Sequence, residues 1–133
     1  MLSDVKLFNI PIREDEFGSL GVLEFSSLEF IVKRLYWLSS VPAGQSRGNH
    51  AHKALTQLFF LVSGSVTIEL HLGREIQKYS LVQSGQGLLI PPGMWRTLFD
   101  FSHDAVLMVL CDQTYDESDY IRNHDDYLEW FEG

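Results

Sequence analysis

The sequence predicts an all-β single domain, a barrel or sandwich finished by a short C-terminal helix. Two observations carry this. Roughly nine or ten short apolar runs of strand length lie between turn residues. Helical periodicity is scarce until the last stretch, DESDYIRNHDDYLEWFEG.

Val5 to Ile10 and Leu20 to Phe25 read as short strands separated by the acidic turn REDEFGS. Glu29 to Leu38, EFIVKRLYWL, is longer and rich in β-branched and aromatic residues. Its alternation places Val32, Arg34, Tyr36 and Leu38 on one face, and Ile31, Lys33, Leu35 and Trp37 on the other. Arg34 and Tyr36 on an inner face are costly unless they meet a ligand or partner. The opposite register, with Lys33 and Trp37 inside, stays open. The loop SSVPAGQSRGN follows, then LFFLV and SVTIELHL, joined by the tight Ser63-Gly64 turn. In the second run Val66, Ile68 and Leu70 face one way and Thr67, Glu69 and His71 the other. EIQKYSLV, GLLIPPG, WRTLFDF and AVLMVLC supply the remaining strands. At the end, Tyr120, Ile121, His124, Tyr127, Leu128 and Phe131 recur at helical spacing, with Ser118 as the expected cap.

The 133 residues suit one domain, 1–133, with 45% apolar and 21% charged side chains. A net charge of -8 argues against non-specific binding to nucleic acid or to an anionic membrane. It leaves room for a phosphate-bearing small molecule, because a few arginines in one pocket outweigh the global field. Cys111 is the single cysteine, so no disulfide forms within the chain, as expected in a reducing cytosol. The N-terminal MLSDVKLFNIPIRED lacks a signal-peptide pattern, and no apolar run nears the ~20 residues of a membrane span. A cytoplasmic location is expected.

The chemistry concentrates in two glycine-framed motifs. Gly44, His50, His52, position 57 and Gly64 fit the spacing of the first cupin motif, G-x5-H-x-H-x4-E-x6-G. Gly85, Pro91, Gly93, position 96 and position 100 fit the second, G-x5-P-x-G-x2-H-x3-N. Both together in an all-β chain point to a cupin jelly roll. Metal-binding cupins place glutamate and histidine where this chain has Gln57 and Arg96. Gln57 is a weak neutral ligand, and a guanidinium offers a metal no lone pair and repels a cation. His50 and His52 are therefore expected to titrate and not to hold a metal, and Arg96 favours an anionic ligand or intermediate. No cofactor is expected.

RGNHAHKALTQLFFLVSGSVTIEL, KRLYWL and GLLIPPGMWRTLFDFSHDAVLMVLCDQTYDESDYIRNHDDYLEWF together resemble the dTDP-sugar 3,4-ketoisomerases, the WxcM-like or FdtA-type cupins. The similarity runs from about Leu20 to the end. It implies a metal-free isomerase that moves the ketone of dTDP-4-keto-6-deoxy-D-glucose from C4 to C3. The product would feed a transaminase making a 3-amino-3,6-dideoxyhexose for surface glycans. It also implies a homodimer with exchanged N-terminal strands. By position, the first histidine of the family's HAH is His50, the expected base, with His52 as its partner and Tyr36 on the preceding strand. Two positions depart from the commoner pattern, Phe17 in the turn DEFG and Arg96 in PPGMWR. Both bear on the C4 stereochemistry, and Arg96 favours the gluco product.

On this reading His50 removes the C3 proton, while His52 assists or holds sugar oxygens. Arg96 and Tyr36 stabilise the oxyanion. Arg34 and Arg47 are expected at the pyrophosphate. Gln57 joins the substrate set, and Trp95 packs on the nucleotide or sugar, or else inside the barrel. A 3,5-epimerase-like enzyme, a metal dioxygenase and a non-catalytic nucleotide-sugar-binding cupin are the competing readings.

Overall fold

The computed structural model describes residues 1–133. Its strands are β1 (Lys6–Asn9), β2 (Ile12–Asp15), β3 (Gly18–Gly21), β4 (Arg34–Ser39), β5 (Arg47–His52) and β6 (Gln57–Ser63). They continue with β7 (Val66–Leu72), β8 (Glu75–Leu81), β9 (Gln86–Ile90), β10 (Trp95–Phe99), β11 (Val106–Cys111) and β12 (Tyr120–Ile121). One helix, α1 (His124–Glu132), ends the chain. The strands form two five-stranded antiparallel sheets, ordered β1-β9-β6-β11-β4 and β12-β5-β10-β7-β8, and a separate β2-β3 hairpin. This is the jelly roll that the two glycine-framed motifs predict. No helix is long and apolar enough to cross a membrane.

The core lies between the two sheets because strand alternation sends every second side chain there. Phe59 and Leu61 of β6, Leu88 and Ile90 of β9, and Leu107 and Val109 of β11 meet Ile68 and Leu70 of β7 and Leu98 of β10. Each such side chain contributes about 1.5–3 kcal/mol on burial. The pattern expected of β7 holds, with Val66, Ile68 and Leu70 buried and their neighbours half-buried. In β4 the more buried face carries Arg34, Tyr36 and Leu38, while Leu35 and Trp37 are exposed, which settles the register.

Four local expectations are corrected. The strand expected over Glu29 to Leu38 begins only at Arg34, after a bend at residues 28–30. The segment REDEFGS is mostly strand: Arg13 to Asp15 pair with Gly18 to Leu20, and the turn is Glu16-Phe17. Leu20 to Phe25 is not one strand, because β3 stops at Gly21 and Phe25 opens a short 3-10 turn. Ser118 does not cap the terminal helix. It sits in a 3-10 turn, Glu117–Asp119, capped by Asp116, and Tyr120 and Ile121 then pair with His52 and Ala51 of β5. The true cap is Asn123, whose side chain accepts from the Asp126 amide at 3.0 Å. Helical spacing and a two-residue strand coincide over Tyr120 and Ile121, and backbone pairing to a distant strand decides between them.

α1 packs through Tyr127 on Trp95, Ala51 and Ile121, on the outer side of the second sheet. The buried Tyr127 hydroxyl accepts from the Gly73 amide and donates between the carbonyls of His71 and Gly93, all at 2.9 Å. Tyr127→Phe leaves those backbone groups short of a partner and is expected to cost about 1–3 kcal/mol. Calorimetry should show a melting point several degrees lower. An unchanged value would mean that the hydroxyl contributes nothing to docking the helix.

Candidate active site

The open end of the barrel holds a cavity of about 480 Å³ lined by β4, β5, β10 and the β12 segment. That volume suits a small ligand. Its wall includes Arg34, Tyr36, Arg47, His50, Arg96, Tyr120 and Arg122. Four arginines and no carboxylate line it, although the whole chain carries -8. The local field therefore favours an anion.

β5, expected as a loop as far as Asn49, is a strand with a bulge. Arg96 pairs with His50 but Thr97 pairs with Gly48, so Asn49 is the extra residue. Gly48 and Asn49 both have left-handed backbones, with φ of 83° and 57°. At Gly48 a Cβ would come within 3.1 Å of the Arg96 carbonyl, so only glycine fits without a shift. The bulge has a direct effect on the cavity. Arg47 and His50 are three positions apart, a spacing that sends side chains to opposite faces of a regular strand. With Asn49 looped out, both line the cavity.

His50 and His52 do share a face, as the His-x-His spacing predicts. Their Nε2 atoms lie 3.1 Å apart, with the rings edge to face. His50 lines the cavity, whereas His52 is fully buried behind it. His50 Nδ1 meets the Gly48 carbonyl at 3.0 Å, and His52 Nδ1 meets Asp119 Oδ2 at 2.9 Å. Tyr120 packs on both rings, with centroids 4.9 and 4.4 Å away. Burial, then the Arg96 charge, pushes His50 down to about 4 and His52 to about 2. Both rings are neutral at pH 7, so the His52–Asp119 contact is a hydrogen bond from a neutral ring and not an ion pair.

Arg96 is buried, yet its partners are neutral. Nη1 donates to Gln57 Oε1 at 2.5 Å and Nη2 to the Met94 carbonyl at 3.0 Å. Burial lowers its pKa to about 10, which leaves it cationic at pH 7. Its Nε is the buried side-chain donor without a partner. Such a donor is costly unless a ligand oxygen completes it. Gln57 lies behind the wall and works through its neighbours, donating Nε2 to the Tyr36 hydroxyl at 3.2 Å while holding Arg96. Burial, then proximity to Cys111, raises the Tyr36 pKa, so the phenol keeps its proton.

The other expected residues divide. Arg34 and Arg47 line the cavity, with the Arg34 guanidinium 4.9 Å over the Tyr36 ring. Trp95 does not reach it. Its side chain lies on the opposite face of β10 from Arg96, against α1, because adjacent strand residues point apart. No cluster of three or more His, Cys, Asp or Glu side chains is arranged to hold a metal. Asp119, Tyr120 and Arg122 join the site from outside both glycine-framed motifs. Arg122 is held by Glu117 through bonds of 2.7 and 2.8 Å and lies over the Tyr120 ring. They arrive from a segment 67 residues beyond His52, in the case of Asp119, so no local spacing marks them.

Comparison with known proteins places this cavity in context. Residues 3–132 match the family model FdtA, described as WxcM-like, C-terminal. The chain is 36% identical over 126 residues to TDP-4-oxo-6-deoxy-alpha-D-glucose-3,4-oxoisomerase of Aneurinibacillus thermoaerophilus, covering 94% of this chain and 91% of that one. The crystal structure of a point mutant of the 3,4-ketoisomerase QdtA from Thermoanaerobacterium thermosaccharolyticum, in complex with TDP-4-keto-6-deoxyglucose, superimposes with a TM-score of 0.93 at 37% identity. That match covers 99% of this chain and 96% of QdtA. The TDP-quinovose 3,4-ketoisomerase WlaRB of Campylobacter jejuni matches with a TM-score of 0.86 at 38% identity, over 95% and 98% of the two chains.

Proposed function

The chain belongs to the FdtA family of sugar 3,4-ketoisomerases and is an isomerase, and from that premise we propose that it converts dTDP-4-keto-6-deoxy-D-glucose to dTDP-3-keto-6-deoxy-D-glucose. The observation that carries the reading is the pairing of a neutral base with a fixed cation. His50 and Arg96 are direct cross-strand neighbours in a cavity with an arginine-rich wall.

The C4 ketone acidifies the hydrogen on C3. His50 takes that proton, and the electron pair flows to O4 to give an enediolate. Arg96 and Tyr36 donate hydrogen bonds to the developing oxyanion. O4 gains the proton that O3 gives up, C4 takes a proton, and the carbonyl stands at C3. C3 has given one proton to His50, C4 has gained one from solvent on the opposite ring face, and one has moved from O3 to O4, so the count balances with no oxidant needed. Arg34 and Arg47 receive the pyrophosphate, and Gln57 fixes Arg96 and Tyr36 from behind.

The gluco configuration is supported by Arg96 and by the likeness to the quinovose-type enzyme. The 3-keto sugar is the substrate a transaminase needs for a 3-amino-3,6-dideoxyhexose of a surface glycan, made in the cytoplasm. The working form is a homodimer with exchanged N-terminal strands. Supporting this, the β2-β3 hairpin pairs only with itself and carries Phe17, 89% exposed, at its turn. Trp37 and Leu35 add apolar surface on β4.

Purified protein incubated with dTDP-4-keto-6-deoxyglucose should give, by NMR, a carbonyl at C3 and an equatorial C4 hydroxyl. A carbonyl that stays at C4 with inverted neighbours would indicate 3,5-epimerisation. Binding without exchange of the C3 hydrogen into deuterated water would indicate a non-catalytic module. Either result overturns the reading.

A further inference from the structure

The two imidazoles at the site face each other in a way that counts protons. The far nitrogen of each ring is already committed, His50 Nδ1 to the Gly48 carbonyl at 3.0 Å and His52 Nδ1 to Asp119 Oδ2 at 2.9 Å. A carbonyl and a carboxylate only accept, so each Nδ1 carries the ring's hydrogen. In neutral rings both Nε2 atoms then present lone pairs, 3.1 Å apart. This is hydrogen-bond distance with no hydrogen to share.

Building on the ketoisomerase reading, we propose that Asp119 is a positioning residue that creates a slot for one proton between His50 and His52. By fixing the His52 tautomer, Asp119 aims the His52 lone pair at His50. When the C3–H bond breaks, an N–H bond forms on His50 Nε2 and the electron pair stays on the sugar as the enediolate. His52 Nε2 then accepts the hydrogen bond that the resting site lacks. The new cation is stabilised by that bond, and it is discharged when the N–H bond breaks and its proton passes to solvent, the C4–H bond forming with a proton from the opposite face of the sugar ring.

Asp119 is itself fixed. Its Oδ1 accepts from the Ala54 amide at 2.7 Å, its backbone carbonyl accepts from the Lys53 amide at 3.0 Å, and its side chain is only 10% exposed. The Ala54 bond decides what the amide variant does. In Asp119→Asn the amide oxygen stays on Ala54 N–H, so the NH₂ group faces His52 Nδ1. That nitrogen must now accept, its hydrogen moves to Nε2, and the slot is filled before substrate arrives.

The test uses protein labelled with ¹⁵N-histidine at neutral pH, together with steady-state kinetics. Wild type should show both histidines protonated at Nδ1. Asp119→Asn should move the His52 hydrogen to Nε2 and lower kcat on the order of 10²-fold, with little change in KM, the pattern of a tautomer error beside a catalytic base. Wild type with His52 protonated at Nε2 would overturn the slot, whether or not the variant folds. So would a variant that loses activity with an unchanged tautomer, or one that switches tautomer at full turnover. If wild type shows the Nδ1 tautomers but no isomerisation, the reaction assignment fails while the slot geometry stands.

Discussion

His50→Asn should lower kcat by about 10³-fold while the protein stays folded and binds substrate. His50 lines the cavity, is neutral, and is the cross-strand neighbour of Arg96, the cation proposed to steady the enediolate. Asparagine keeps a donor for the Gly48 carbonyl but supplies no base at neutral pH. The pH profile of the wild type gives an independent check. The His50 pKa is lowered to about 4 by burial and by Arg96. A lowered pKa means that the free base is present throughout the neutral range and is lost only as pH falls through about 4. The acid limb of kcat/KM should therefore lie well below the 6.5 of an ordinary histidine. Turnover by the variant at the parental rate, or an acid limb near 6.5, would show that another group is the base.

Arg96→Met should separate activity from stability. Losing a preorganised donor at a developing oxyanion costs about 10²–10³-fold in kcat. The fold should tolerate the change. Gln57 Oε1 and the Met94 carbonyl each lose a hydrogen bond, at a cost of about 1–3 kcal/mol, but the chain no longer buries a cation among neutral acceptors, which offsets part of that loss. kcat measured beside a urea unfolding midpoint decides the matter. A variant as active as the parent would remove Arg96 from the chemistry. A variant that unfolds in proportion to its loss of activity would make Arg96 a structural residue.

The sequence made the interior strands legible because burial on one face leaves a period of two, as in Val66, Ile68 and Leu70. It made the cavity's centre legible because His50, His52, Gln57 and Arg96 hang from glycine-framed spacings set by strand geometry. The remainder depended on contacts between distant segments. Tyr120 and Ile121 fit a helical pattern, and their strand exists only because β5 is there to pair with. Asp119 resembles any acidic surface residue until the fold carries it to His52. Trp95 is a large aromatic beside a cavity residue, and which way it points follows from the alternation at Arg96, not from its own chemistry. The bulge at Asn49 was hidden for a similar reason, since Gly-Asn reads as a turn when no partner strand is in view.

That bulge has a consequence for how such chains diversify. Substitutions change what a side chain is, but the odd residue in β5 changes which side chains share the chamber. Drawing Asn49 into regular pairing opposite Thr97, with the residue count unchanged, would move Gly48 opposite Leu98 and turn Arg47 to the outside, with no residue in the His50–Arg96 cluster altered. Ligand preference in this scaffold is thus written partly in strand register, which the left-handed pair Gly48 and Asn49 sets without either residue changing the chemistry of the cluster.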